Sequence, residues 1–214
     1  EVGVKPELII DLQGPELRIG DLREPVNLRE KEEVLLGCGG IAVPDVLFSA
    51  VKTGQEILLD DGKLLLRIKN VKKDQMTCEV IRGGTLFQKK SIALMECNIE
   101  LPAVTQIDEK NLACAVEMGV TGILQPFVRG KKDLLEVRKA MGRAGCPDLE
   151  IFAKIEDMDG VRKIDEIISN CDKVVIARGD LGNAMPLWNL PRIQKEISRK
   201  CTKEGKSVMV ATQL

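Results

Sequence analysis

The chain contains no histidine and no tyrosine, and its aromatic side chains amount to four phenylalanines and one tryptophan. The missing imidazole removes histidine-activated nucleophiles, histidine general acid–base work and every zinc site that needs a histidine ligand. So few rings exclude base stacking on an aromatic platform. Net charge is nearly absent too: 32 basic residues against 33 acidic ones leave −1, so bulk electrostatics draws the chain toward neither nucleic acid nor membrane. No apolar run approaches the roughly 20 residues that span a bilayer. The opening EVGVKPELII lacks the basic start and cleavage site of a signal peptide. These absences predict an intracellular, cytoplasmic protein whose chemistry rests on Lys, Arg, Asp, Glu, Ser or Thr, with or without an oxygen-ligated metal.

Seven cysteines (Cys38, Cys78, Cys97, Cys114, Cys146, Cys171 and Cys201) are scattered without C-x-x-C spacing. Their odd number and spacing argue against a disulfide scaffold or a zinc knuckle, and most read as small hydrophobes. The 214 residues, 44% hydrophobic, suffice for one sizeable core or two small ones.

From Val120 onward, short apolar runs (VTGILQPF, LEIFAKIE, KVVIARGD, KSVMVATQ) alternate with amphipathic segments. The runs read as buried parallel strands. The intervening KKDLLEVRKAMGRA, DGVRKIDEIISN and LPRIQKEISRKCTKEG carry apolar residues at helical spacing, such as Val161, Ile164, Ile167 and Ile168, then Leu190, Ile193 and Ile197. Repeated strand-then-helix units predict an α/β fold, either a barrel or an open doubly wound sheet, with sites at the strand C-termini. The middle, from Glu16 to Asn98, alternates apolar and polar positions instead. Leu64, Leu66 and Ile68 point one way; Leu65, Arg67 and Lys69 point the other. Turns at Asp60 to Gly62 and at Gly83 and Gly84 mark a small antiparallel β-domain, inserted between the first strand, ELIIDL, and a resumption near ELPAVTQIDEKNL. The expected division is 1–15 and 99–214 for the barrel segments and 16–98 for the insert.

Lys154 and Glu156 lie two apart at the end of one apolar run, so they share a strand face. Alone, such a pair reads as a surface ion pair. The next run ends in Arg178, Gly179 and Asp180, with Gly182 two residues later, as the chain turns away; glycine there permits close backbone approach, and N–H groups at such a turn can bind a carboxylate or phosphate. The run after that ends in Thr212, a hydroxyl donor. Two carboxylates can share a hard divalent cation such as magnesium, with water and substrate oxygens completing its shell, and the lysine adds a point charge. That set suits phosphoryl transfer or enolate stabilisation on an anionic substrate.

The stretches DLQGPELRIG, LLDDG, LPAVTQIDEKNL, FVRGKKDLLEVRKAMG, IFAKIED, VIARGDLG and VMVATQL, in this order, resemble the pyruvate kinase family over nearly the whole chain. The resemblance implies a partial TIM (β/α)8 barrel with an inserted small antiparallel β-barrel domain that closes as a lid over the active site. It makes Lys154 the lysine that stabilises the transferring phosphoryl group, and Glu156 and Asp180 the magnesium (or manganese) ligands. The amides of Gly179 and Asp180 with the Thr212 hydroxyl become the cradle of the substrate carboxylate. Arg18 becomes the arginine that neutralises substrate phosphate, and Asp11 with the Leu12 carbonyl part of a potassium site. Glu16 matches the potassium-dependent branch of the family. Lys90 and Asp61 resemble lid residues on the nucleotide side, and read equally well as solvated charges on a small domain. The implied reaction passes phosphate from phosphoenolpyruvate to ADP in glycolysis, with a water near Thr212 delivering the proton to the enolpyruvate; the implied assembly is a homotetramer.

The match has departures. The family carries two barrel strands before ELIIDL, and an eighth strand and a regulatory domain after the last run. Five strands of an eight-stranded barrel leave two edges, so the chain is expected to be a segment of a longer protein and inactive alone. Gln13 stands where lysine is usual, and NAMPLW where valine or isoleucine followed by glutamate is commoner. Two other readings stay open: a metal-dependent pyruvate-enolate lyase on the same scaffold, and a non-catalytic or truncated relative.

Overall fold

The computed structural model describes residues 7–94 and 101–211. They divide into two compact units, one built from residues up to Pro15 together with those from Leu101 onward, the other from the residues between.

The first unit is organised by a parallel five-stranded sheet. Its strands are β1 (Ile9–Asp11), β9 (Gly122–Gln125), β10 (Glu150–Ile155), β11 (Lys173–Ala177) and β12 (Ser207–Ala211), adjacent in that order. Each matches one of the apolar runs. Helices α2 (Gln106–Ala115), α3 (Lys131–Arg143), α4 (Met158–Arg162), α5 (Ile164–Ile168), α6 (Arg178–Ala184) and α7 (Leu190–Lys203) lie between or before them. The alternation of the strands decides which residues meet the helices. Ile123, Ile151, Ala153, Ile155, Val174 and Ile176 enter one core with Leu134, Val137 and Met141 of α3, Ile164, Ile167 and Ile168 of α5, and Ile193 and Ile197 of α7. Each of these side chains apart from Ala153 contributes about 1.5–3 kcal/mol when fully buried. The alternate residues, including Asp11 and Lys154, therefore belong to the opposite face.

Three details differ from the sequence expectation. The segment DGVRKIDEIISN is two short helices rather than one, bent at Lys163 (φ −103°, ψ 21°). Gly160 seats against the Val128 carbonyl, where a Cβ would stand 2.7 Å from the oxygen, and the bend turns the three isoleucines of α5 inward. The last run is a strand but not a buried one: Met209 is 46% and Val210 37% exposed, because β12 has a neighbour on one side only among the described residues. The GDLG stretch is helix α6 rather than an open turn; Leu181, fully buried, draws it back onto the core.

The second unit is antiparallel. Strands β3 (Glu33–Gly37), β6 (Gln75–Arg82), β5 (Leu64–Val71), β4 (Glu56–Leu59) and β8 (Ile92–Leu94) form one sheet in that order, and β2 (Val26–Leu28) pairs with β7 (Gly84–Leu86). Leu64, Leu66 and Ile68 are buried while Arg67 and Lys69 are exposed, the alternation read from sequence. The turn between β4 and β5 puts Asp60, Asp61 and Gly62 all at positive φ (50°, 54°, 81°), a conformation Asp and Gly tolerate best. A short helix, α1 (Val46–Ala50), was not legible in the pattern; it buries Leu47 and Phe48. No hydrogen-bonded ladder closes either sheet into a barrel among the described residues.

Candidate active site

Because all five strands of the first unit run parallel, their C-terminal ends share one rim. Asp11 ends β1, Lys154 and Glu156 stand at the end of β10, and Gly179 and Asp180 occupy the first turn of α6 directly after β11. Lys154 Nζ lies 2.9 Å from Glu156 Oε1 and 3.8 Å from Asp11 Oδ1. The second carboxylate oxygen of Glu156 accepts the Phe127 N–H at 2.7 Å. The Glu156 side chain is 2% exposed, whereas Asp11 and Asp180 are open to solvent.

This geometry sets the charges. Burial works against the Lys154 ammonium, but Glu156, then Asp11 and Asp180, outweigh it and push its pKa up, so it stays protonated. Burial pushes the Glu156 carboxyl above the usual range, the Asp180 charge adds to that, and Lys154 with the Phe127 N–H opposes it. Glu156 is thus a buried acid whose charged form burial opposes and one cation favours. A further positive charge between it and Asp180 would relieve both carboxylates, and the donor set is all oxygen, as magnesium prefers. No group of three or more Asp, Glu, Cys or His is placed for a metal among the described residues; a pair of carboxylates fits a cation that keeps water and substrate oxygens in its shell.

Leu12, named for its carbonyl, extends the β1–β9 ladder through its N–H to Leu124 O (3.0 Å) and buries its side chain. Thr212 lies outside the described residues. In the second unit, Arg18 is held by Glu16, whose Oε2 accepts from Nε and Nη2 (3.0 and 2.6 Å), and by the Lys89 carbonyl (2.7 Å). Lys90 pairs with Asp60 rather than Asp61, at 2.9 Å. Asp61 accepts from the Ser91 hydroxyl at 2.7 Å. The named residues therefore gather in two groups: Asp11, Lys154, Glu156 and Asp180 in the first unit, and Arg18, Lys90 and Asp61 in the second.

Sequence reasoning missed three residues that support these groups. Asp108 is fully buried and accepts from the Gln13 and Gly14 N–H groups (2.7 and 3.1 Å) while closing a capping box with Thr105; the Thr-x-x-Asp spacing before α2 was its signal. Asp60, 8% exposed in its side chain, takes both Lys63 and Lys90. Phe127 left no sequence signal.

A family model described as pyruvate kinase, barrel domain, matches residues 2–214. The chain belongs to the pyruvate kinase family. It is 37% identical over 217 residues to the pyruvate kinase of Clostridium perfringens, covering 97% of this chain and 46% of that protein. It is 35% identical to that of Thermococcus litoralis (95% of this chain, 45% of that protein) and 34% to that of Clostridium acetobutylicum (98% and 47%). The chain spans about half the length of these curated relatives. Among the described residues no helix is long and apolar enough to cross a membrane.

Proposed function

We propose that the chain carries the catalytic centre of a pyruvate kinase, transferring the phosphoryl group of phosphoenolpyruvate to ADP to give pyruvate and ATP. The observation that carries this reading is the Lys154–Glu156 pair beside Asp180 at the strand ends of a parallel sheet, in a chain of this family. Glu156 and Asp180 would hold magnesium or manganese, and Asp11 with the Leu12 carbonyl part of a potassium site. Bound there, the divalent ion supplies Lewis-acid stabilisation of phosphoryl and enolate oxygens.

The chain's own residues do the rest. The Lys154 ammonium, kept protonated by its acidic neighbours, meets negative charge on the transferring phosphoryl group. The Gly179 and Asp180 amides, at the start of α6, and the Thr212 hydroxyl orient the substrate carboxylate. Arg18 neutralises substrate phosphate; Lys90 and Asp61 serve the nucleotide side. A threonine hydroxyl is too weak an acid to protonate the enolpyruvate at neutral pH, so a water near Thr212 delivers that proton. In this reading the parallel sheet is part of a closed (β/α)8 barrel, residues 16–98 form the lid, and the parent is a cytoplasmic homotetramer.

The test is pyruvate formation from phosphoenolpyruvate and ADP with magnesium and potassium. Turnover in the full-length protein should fall by about a hundredfold or more in Lys154→Met, the scale of losing one preorganised electrostatic donor. Undiminished turnover in that variant rules out the assigned role; no turnover in the parent protein favours a non-catalytic relative.

A further inference from the structure

Phe127 adopts a left-handed backbone, φ 51°, although an aromatic residue has none of the tolerance that Gly, Asn or Asp show for this region. Its neighbours hold it there. The Pro126 ring fills the space over Gly14, where a Cβ would stand 2.4 Å from Pro126 Cγ. Gln125, fully buried, donates from Nε2 to the Ala103 and Pro126 carbonyls at 2.8 and 3.2 Å. On the other side, the Val128 N–H donates to the Lys154 carbonyl at 3.3 Å. The strained residue's own N–H reaches Glu156 Oε2. The turn after β9 thus grips the end of β10 twice, once on the Lys154 backbone and once on the Glu156 carboxylate. With Pro126 held, a right-handed or extended residue 127 would swing Val128 off the Lys154 carbonyl; with Val128 held, it would turn the residue 127 N–H off Glu156 and leave a buried carboxylate oxygen without that donor, a costly state. Strain of this kind persists only where its surroundings enforce it, and it concentrates at functional sites.

We propose that the left-handed backbone of Phe127 is a positioning device. It fixes Glu156 in the one orientation that turns Oε2 to the protein and Oε1 to Lys154, and the backbone conformation, not the phenyl ring, is what the site requires. This deepens the proposed function and rests on that reading for its consequence: a divalent cation at Glu156 meets a preset oxygen.

The test uses Phe127→Gly and Phe127→Asn, which reach positive φ easily, against Phe127→Val, whose branched Cβ opposes it. Two readouts are taken on the full-length protein: hydrogen exchange of the residue 127 amide and the dissociation constant for manganese, with thermal melts confirming the fold. The Gly and Asn variants should keep amide protection and manganese affinity. The Val variant should lose about tenfold in protection, the scale of one hydrogen bond, and about tenfold in affinity, the scale of losing a group that orients a metal ligand. Losses in Gly and Asn, or full retention in Val, overturn the proposal; if Val does not fold, the Gly and Asn results still decide it. If the wild type binds no manganese while amide protection follows this order, the metal role of Glu156 fails and the positioning role stands. Tight manganese binding in all variants with protection out of order has the opposite meaning.

Discussion

The Lys154 ammonium lies 2.9 Å from Oε1 of Glu156, a carboxylate side chain that is 2% exposed. Removing one partner of such a pair strands the other charge in a low-dielectric setting, which is far costlier than removing both. Lys154→Met alone should therefore destabilise the fold by about 3 kcal/mol. Adding Glu156→Gln to it should restore part of the loss. A double-mutant cycle measured by urea unfolding tests this; strictly additive losses would show that the pair is not coupled.

Asp60 yields a pH prediction. Lys90 and Lys63 flank its carboxylate, and the contact with Lys90 is the main cause of its pKa lying below the ordinary 3.8, against the opposing effect of burial. A folded-state value below the unfolded one stabilises the fold above the unfolded value, and the gain is lost as pH falls through the folded one. The stability gap between wild type and Asp60→Asn should be constant above pH 3.8 and close under stronger acid. A gap that persists unchanged to the acid limit, or widens there, would mean that the Asp60 charge is not what the two lysines hold.

Much of the fold was legible because burial imposes periodicity. The runs ending at Asp11, Gln125, Ile155, Ala177 and Ala211 are strands, and the helical spacing of Leu190, Ile193 and Ile197 is α7's buried stripe. What pattern does not encode is pairing across the chain. Asp108 meets Gln13 and Gly14 from 95 and 94 residues away; the Thr-x-x-Asp spacing signals its cap, but nothing local signals those distant partners. Phe127 is still less legible, since its left-handed backbone is imposed by Gly14, Gln125 and Lys154 rather than by its own propensity. Short helices such as α1 and α6 fall below the length at which spacing speaks. The Lys154–Glu156 pairing was legible because a strand's period of two places such residues on one face.

The cysteines separate by environment. Burial raises the pKa of Cys78 to about 12 and of Cys171 to about 11, and raises those of Cys146 and Cys201 as well. Reaction with a thiol reagent requires the thiolate and access to it. Mass-spectrometric mapping after brief labelling of the native protein at pH 7.5 should find Cys38 and Cys114, both exposed, modified, and these four untouched until denaturant is added. Rapid native labelling of Cys78 or Cys171 would contradict the packing around them.

Asp108 is the strongest single test of how the rim is held. Its Oδ1 accepts the Gln13 N–H at 2.7 Å; its Oδ2 accepts the Gly14 N–H at 3.1 Å, and the Thr105 N–H and hydroxyl at 2.9 and 2.7 Å. One buried carboxylate thus caps α2 and anchors the chain that leaves β1 just after Asp11 and Leu12. In Asp108→Ala those donors lose their acceptor. An unsatisfied buried donor costs about 1–3 kcal/mol, while the Thr105 hydroxyl still accepts the residue 108 N–H and keeps its half of the cap, so the variant should lose about 2–3 kcal/mol in chemical denaturation. Asp108→Asn keeps the side-chain shape and one acceptor oxygen but faces the donors with an amide, so it should fall between wild type and alanine. The loss should also reach the site: with the segment after β1 released, Asp11 no longer stands at a fixed 3.8 Å from Lys154. Amide exchange at Gln13 and Gly14 should therefore rise in both variants under conditions where the α3 and α7 amides remain protected. Equal stability of wild type and Asp108→Ala, or unchanged exchange at Gln13 and Gly14, would show that the segment is held by the β1–β9 ladder alone.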